Sequence, residues 1–179
     1  MSYRPICDMW LLARPKIKFY GAYPNGFLER ARVLIGCSYN DSILHVCGGK
    51  ARDYPNKGFG PNDKTLDLDP NLHPDICMDV TKGDIPKPAN YDWKGILIDP
   101  PYTLEDASHY YNGTINDRFP NPNELVKKCI NSIGVGKKVG ILHYICPSCP
   151  KNAKFIACIG IIMGFNNRIR CFSVYERRE

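Results

Sequence analysis

The sequence predicts an α/β protein, a doubly wound and mostly parallel sheet with an antiparallel hairpin at its carboxyl end. Three observations carry that prediction. Short apolar runs such as Gly95-Ile96-Leu97-Ile98 do not alternate with polar residues, so they suit strands buried on both faces, as in parallel sheets. Several of these runs end in acids, at the sheet edge where open α/β folds bind their ligands. The last two runs, KFIACIGIIMGF and RIRCFSVYERR, are joined by a turn around Asn166 and Asn167, which makes a hairpin.

Taken in order, residues 1–20 look irregular. In YPNGFLERARVLIG, turn residues precede Phe27, Leu28, Ala31, Val33, Leu34 and Ile35, whose spacing suits a short amphipathic helix ending at Gly36. SILHVCGGK is a strand entering a glycine turn, TLDLDP a second strand, DICMDVTKGDIP a third and GILIDPPY a fourth. Asn123 can cap a helix through ELVKKCINSIGVG, which Gly134 or Gly136 closes, and KVGILHYI opens the final group of strands. The link KARDYPNKGFGPNDK is too rich in Gly and Pro for the regular helix that usually joins parallel strands.

At 179 residues and 44% hydrophobic, the chain is expected to form one domain over 1–179. No run approaches the roughly 20 apolar residues needed to span a bilayer, and MSYRPICDMWLLARPK lacks the features of a secretory signal. A soluble, cytoplasmic protein is expected. Several of the nine cysteines, among them Cys47, Cys77 and Cys158, lie in apolar runs where they act as small core residues. A disulfide framework is not expected at this size. The net charge of +6 permits a polyanionic partner without demanding one. Basic clusters at 14–18, 127–128, 137–138 and 168–178 suit solvated surface.

The run GILI ends at Asp99, followed by Pro100, Pro101 and Tyr102. Prolines cannot donate to a sheet ladder, so the strand stops and their carbonyls remain as rigid acceptors. Tyr102 adds a flat ring suited to stacking on a planar heterocycle. Together these residues could grip a planar molecule that carries an amino group. An acid before two prolines also suits a helix N-cap and first turn. Elsewhere, Cys47-Gly48-Gly49-Lys50 follows an apolar strand, and glycines there either let the backbone approach a ligand or make a tight turn. Asp67 and Asp69 follow roughly 20 residues later, where a carboxylate can accept from both hydroxyls of a ribose. Asp79 ends a further strand, placed to accept from an adenine amino group or a backbone N–H.

The order of YPNGFLERARVLIG, LHVCGGK, LDLDP, CMDV and IDPPY resembles the S-adenosylmethionine-dependent DNA amino-methyltransferases that act on adenine N6 or cytosine N4. The resemblance implies a Rossmann-like class I methyltransferase fold with S-adenosyl-L-methionine as cofactor. Pro24, Asn25, Gly26 and Phe27, with the Cys47–Lys50 turn, would flank the methionine part. Asp67 or Asp69 would hold the ribose, and Asp79 the adenine. Asp99, Pro100, Pro101 and Tyr102 would be the catalytic turn. The Asp99 carboxylate and the Pro100 carbonyl would accept both amino hydrogens, directing the nitrogen lone pair at the sulfonium methyl. Tyr102 would stack on the base, which in a duplex must be flipped out. The turn VCGGKA departs from the family, which has an aromatic residue and a less crowded glycine pattern there.

About 20 residues separate Tyr102 from the next helix, too few for the target-recognition domain of sequence-specific DNA methylases. Specificity is then low, or comes from a protein partner or homo-oligomer, or the substrate is not duplex DNA. Residues 103–123 form the expected substrate loop, with His109, Tyr110, Tyr111, Arg118 and Phe119 available for stacking and phosphate contact. His143 faces the substrate cleft or the core. HYICPSCP spaces His143, Cys146 and Cys149 at intervals of three, but a structural zinc needs four ligands and no second pair has matching spacing, so no metal is expected. The expected activity is methylation of adenine N6 in DNA. An RNA adenine or guanine amino-methyltransferase, and a non-catalytic methyltransferase-like subunit, stay open as alternatives.

Overall fold

A computed structural model describes residues 3–13, 23–54, 57–88, 92–110, 120–164 and 168–179. Its strands are β1 (Ile6–Leu12), β2 (Ile43–Val46), β3 (Lys64–Asp67), β4 (Ile76–Cys77), β5 (Gly95–Ile98), β6 (Lys138–His143), β7 (Ala153–Met163) and β8 (Ile169–Arg177). The helices are α1 (Phe27–Leu34), α2 (Leu104–Tyr110) and α3 (Pro122–Ser132). All eight strands join one sheet in the order β1-β7-β8-β6-β5-β2-β3-β4. Strand β8 runs antiparallel to β6 and β7, and every other pair is parallel. The doubly wound sheet with an antiparallel carboxyl-terminal pair is therefore as the sequence predicts. The turn expected around Asn166 and Asn167 lies outside the described residues.

The apolar strands are buried because their alternate side chains feed two cores. In β5, Leu97 joins one cluster with Phe27, Leu28 and Ala31 of α1, while Ile96 and Ile98 join the other with Leu125, Val126 and Ile130 of α3. Helix α1 starts where Gly26 takes a φ of 79°, a left-handed turn open to glycine, and stops before Gly36 at 75°. Helix α3 is capped by Asn121, whose side chain accepts from the N–H groups of Asn123 and Glu124, rather than by the expected Asn123. Pro122 in its first turn suits that earlier start.

The amino-terminal segment corrects the expectation of irregular structure. Residues Ile6–Leu12 form an edge strand whose side chains are nearly all exposed, so no apolar period marks it in the sequence. Among the described residues, the link between β2 and β3 holds a 3₁₀ turn at Ala51–Asp53 and no crossover helix. A buried polar network holds that region instead. The Arg32 guanidinium meets Asp63 at 2.6 Å and donates to the carbonyls of Ser38, Tyr39, Asp41 and Gly58. Asp63 also accepts from the N–H groups of Ile43 and Gly60 and lies 3.2 Å from His45 Nε2. No helix among the described residues is long and apolar enough to cross a membrane.

Candidate active site

The carboxyl ends of β2, β3, β4 and β5 converge on one cleft. Past β2, Cys47 adopts a φ of 54°, a left-handed conformation rare for a residue with a side chain. The sharp turn this makes lets Gly48 donate to the Leu66 carbonyl at 3.1 Å and Gly49 donate to Asp67 Oδ2 at 2.9 Å. A Cβ on Gly48 would stand 2.8 Å from the His45 carbonyl oxygen, so only glycine fits. The glycines thus serve first to bring the turn onto Asp67.

Of the two acids after β3, Asp67 is the one that faces the cleft. Its other oxygen accepts from the Asp69 N–H, and its carbonyl accepts from Met78. Asp69 instead caps the 3₁₀ turn at Pro70–Leu72, accepting from the backbone and side chain of Asn71. Asp79 bends the chain after β4 by accepting from both the N–H and the hydroxyl of Thr81. Lys128 of α3 anchors this wall, its ammonium donating to the carbonyls of Val80, Thr81 and Gly83. The basic pair at 127–128, expected as solvated surface, thus includes one structural lysine. Cys47, Asp67, Leu68, Met78, Asp79, Val80, Pro101 and Pro120 line the cleft. Burial pushes the Cys47 thiol well above its ordinary range, so it acts as an apolar wall. Two carboxylates set among apolar side chains suit a flat heterocycle carrying a hydroxylated sugar.

Asp99 follows β5, two residues before the cleft-lining Pro101. Its N–H donates to the Val46 carbonyl at 3.1 Å, which continues the β5–β2 ladder by one residue. Helix α2 begins only at Leu104, and the Thr103 hydroxyl accepts from the Asp106 N–H, so Thr103 rather than Asp99 is the N-cap. Burial raises the Asp99 carboxyl to about 6, against the opposing pull of Arg170 and the Tyr102 hydrogen bond. Tyr102 donates its hydroxyl to Asp99 Oδ1 at 2.6 Å. Its ring meets Tyr144 at 4.6 Å and His143 edge-on at 5.3 Å, and Arg170 lies 5.2 Å from its centre. The ring expected to stack on a base is half-buried beside Tyr144 and His143, with its hydroxyl tied to the acid.

His143 joins this aromatic group. Its Nδ1 accepts from the Ile145 N–H, which leaves the proton on Nε2, and burial lowers its pKa, favouring the neutral ring. Arg168 donates to the Tyr144 hydroxyl. Both arginines fall in a cluster that the sequence suggests is solvated surface. Their spacing in Arg168-Ile169-Arg170 is the overlooked signal, because an extended chain entering β8 at Ile169 turns alternate residues to the same side. Pro24, Asn25, Gly26 and Phe27 make the turn into α1, with the Phe27 N–H donating to the Pro24 carbonyl at 3.0 Å. Phe27 is 1% exposed and packs on Tyr23 and Phe172 in the core, which corrects its expected cofactor role. Lys50 is exposed beside the glycine turn. The substrate segment is partly helical, with His109 and Tyr110 at the end of α2. Tyr111, Arg118 and Phe119 lie outside the described residues.

Neither a protein-family model nor a curated protein sequence matches the chain. Solved structures do. TrmN from Thermus thermophilus is 13% identical with a TM-score of 0.58, over 87% of this chain and 49% of its own. A candidate methyltransferase from Escherichia coli is 9% identical with a TM-score of 0.53, over 93% and 91%. The N-methyltransferase NodS from Bradyrhizobium japonicum is 10% identical with a TM-score of 0.51, over 86% and 98%. This chain has the Rossmann-like class I methyltransferase fold. It spans about half the length of the TrmN chain. At these identities the likeness concerns the fold, and the chemistry must be argued from the cleft.

Proposed function

We propose that the protein is an S-adenosylmethionine-dependent methyltransferase acting on the exocyclic amino group of a nucleobase, adenine N6 in DNA. The observation that supports this reading is the place of Pro101. It lines the same cleft as Asp67 and Asp79, so a site suited to a nucleoside ends against the Asp99-Pro100-Pro101-Tyr102 turn. The residues fit the cofactor. Leu68, Met78 and Val80 provide apolar walls for the adenine ring, Asp79 an acceptor for its amino group, and Asp67 an acceptor for ribose hydroxyls. A carboxylate offers about four acceptor sites, enough for Asp67 to hold the glycine turn and meet a sugar.

The bound cofactor would supply an electrophilic methyl group on a sulfonium sulfur. An exocyclic amino nitrogen is a poor nucleophile because its lone pair is shared with the ring. Ionised Asp99 and the Pro100 carbonyl accept the two amino hydrogens and draw them out of plane, which frees that lone pair. The incoming amino group takes over the Asp99 oxygen now held by the Tyr102 hydroxyl. Arg168 and Arg170 carry positive charge beside the Tyr102–Tyr144 rings, a combination that suits a base with its phosphate.

The test is transfer of labelled methyl from S-adenosylmethionine to unmethylated DNA, followed by nucleoside analysis. N6-methyladenine is expected, and Asp99→Ala should abolish it. Full activity in Asp99→Ala would sink the reading, and competition by RNA would identify the alternative substrate. Failure of a folded protein to bind the cofactor in calorimetry would favour a non-catalytic subunit.

A further inference from the structure

On the same face of the antiparallel β7–β8 pair, three thiols meet. The sulfur atoms of Cys146, Cys158 and Cys171 all lie within 4.8 Å of one another. Cys158 and Cys171 are 3.2 Å apart, and the buried Ser173 hydroxyl donates to Cys146 Sγ at 3.2 Å. The register explains the meeting. Cys158 pairs with Ser173, so Cys171 is its diagonal neighbour on the same face, and Cys146 arrives on the turn that leaves β6. Cys149 follows Cys146 by three residues in Cys146-Pro147-Ser148-Cys149 and is exposed.

We propose that Cys146, Cys149, Cys158 and Cys171 form a structural zinc site. Zinc–sulfur bonds of about 2.3 Å in a tetrahedron put sulfur atoms about 3.8 Å apart, a spacing the three converged thiols already approach. Sulfur ligands select a soft or borderline ion such as zinc over calcium or magnesium. Cys149 supplies the fourth ligand by rotating its exposed side chain toward the other three. In sequence the set is Cys-x2-Cys, then eight residues, Cys, twelve residues and Cys. The second pair comes from neighbouring strands rather than a second Cys-x2-Cys, so only the hairpin register discloses it.

The turn is held ready for this role. The Tyr175 hydroxyl donates to the Pro147 carbonyl at 2.5 Å, and the Ser148 N–H donates to Asn123 Oδ1 at 2.8 Å. Residues 144–152, which join β6 to β7, contain no helix and run as bends, irregular chain and a final turn. A metal would do what a helix does elsewhere, tying the segment after Tyr144 to the strand that carries Arg170. Binding displaces the four thiol protons to solvent, so zinc replaces hydrogen at sulfur with no change of oxidation state.

The experiment uses the full chain, reduced and free of chelator. Zinc is measured by elemental analysis, and cobalt(II) replaces it for visible spectroscopy. Stoichiometric zinc and the intense bands of tetrahedral cobalt thiolate are expected. Cys158→Ser and Cys171→Ser should weaken binding at least tenfold, while Cys77→Ser, remote from the cluster, should leave it unchanged. Loss of the bands in Cys149→Ser is expected, and their persistence would overturn the four-thiolate set. Folded, reduced protein with neither zinc nor a tetrahedral cobalt spectrum would overturn the proposal, even if no serine variant folds. So would a native mass two hydrogens short, localised to a Cys158–Cys171 disulfide.

Discussion

The Tyr102 hydroxyl donates to Asp99 Oδ1 over 2.6 Å, so the aromatic residue of the Asp-Pro-Pro-Tyr turn is bonded to the acid of the same turn. The bond lowers the Asp99 pKa and occupies an acceptor that a target amino group needs. Tyr102→Phe keeps the ring and removes the bond. Methyl transfer should persist in this variant, with the acidic limb of its pH–rate profile moved upward. Tyr102→Ala also removes the stacking surface, and its kcat/KM should fall tenfold or more, in line with the roughly 1–3 kcal/mol of a base–aromatic stack. Equal losses in both variants would mean that the hydroxyl, not the ring, is what substrate binding uses.

Asp99 must be ionised to accept the amino hydrogens, and burial raises its pKa to about 6. Activity in the free-enzyme regime should therefore climb through about pH 6 and level off above it. Stability runs the other way. A carboxyl whose folded pKa lies above the unfolded value of about 3.9 stabilises the fold below that value, and the contribution is lost as pH rises through the folded pKa. Asp99→Asn removes the charge and keeps the shape. It should be inactive yet more stable at neutral pH, by about 3 kcal/mol, as read from denaturant unfolding of both proteins across pH 4 to 8.

This conflict between activity and stability at Asp99 is also why the site was legible in the sequence. A charged residue directly after the buried run Gly95–Ile98 breaks the local pattern, as do the acids after β3 and β4. Strands β5 and β6 were readable because both their faces are buried, which leaves a continuous apolar signal. Strand β1 carries no such signal, since exposed residues on both faces erase the period. What depends on non-local pairing stayed hidden. Arg170 reaches Tyr102, and Lys128 reaches the Val80 carbonyl, only after β8 pairs with β6 and α3 lies across the sheet. Phe27 failed in the opposite sense, because a residue beside a turn can equally be the first inward residue of the helix that follows.

The Arg32–Asp63 pair replaces a crossover helix as the brace between β2 and β3. Both side chains are almost wholly buried, at 4% and 0% exposure, and nearly all their bonds run to backbone. Asp63→Ala leaves the Arg32 charge without its counter-ion and the N–H groups of Ile43 and Gly60 without an acceptor. Removing one partner of a buried pair destabilises by about 3–5 kcal/mol. Chemical denaturation should show a loss of that size. Asp41→Ala, at the half-exposed end of the same network, should lose far less, since Arg32 bonds the Asp41 carbonyl rather than its carboxylate.

Asp67 and Asp69 separate two roles that the motif leaves mixed. Asp67 lies in the cleft and holds the Gly49 N–H at 2.9 Å, whereas the Asp69 carboxylate accepts from the backbone and side chain of Asn71. Asp67→Ala therefore removes both the acceptor for a ribose and the clasp on the glycine turn. Hydrogen bonds to a charged group contribute about 1.5–3 kcal/mol, so cofactor affinity should fall roughly ten- to a hundredfold. Asp69→Ala removes a cap from a three-residue 3₁₀ turn and should change affinity by less than about threefold, with a stability loss near 1 kcal/mol. Calorimetric titration of both variants with S-adenosylmethionine distinguishes the roles. If the Asp69 variant lost affinity as far as the Asp67 variant, the sugar would be held by the second acid, and the cleft-facing carboxylate would serve only to fix the turn.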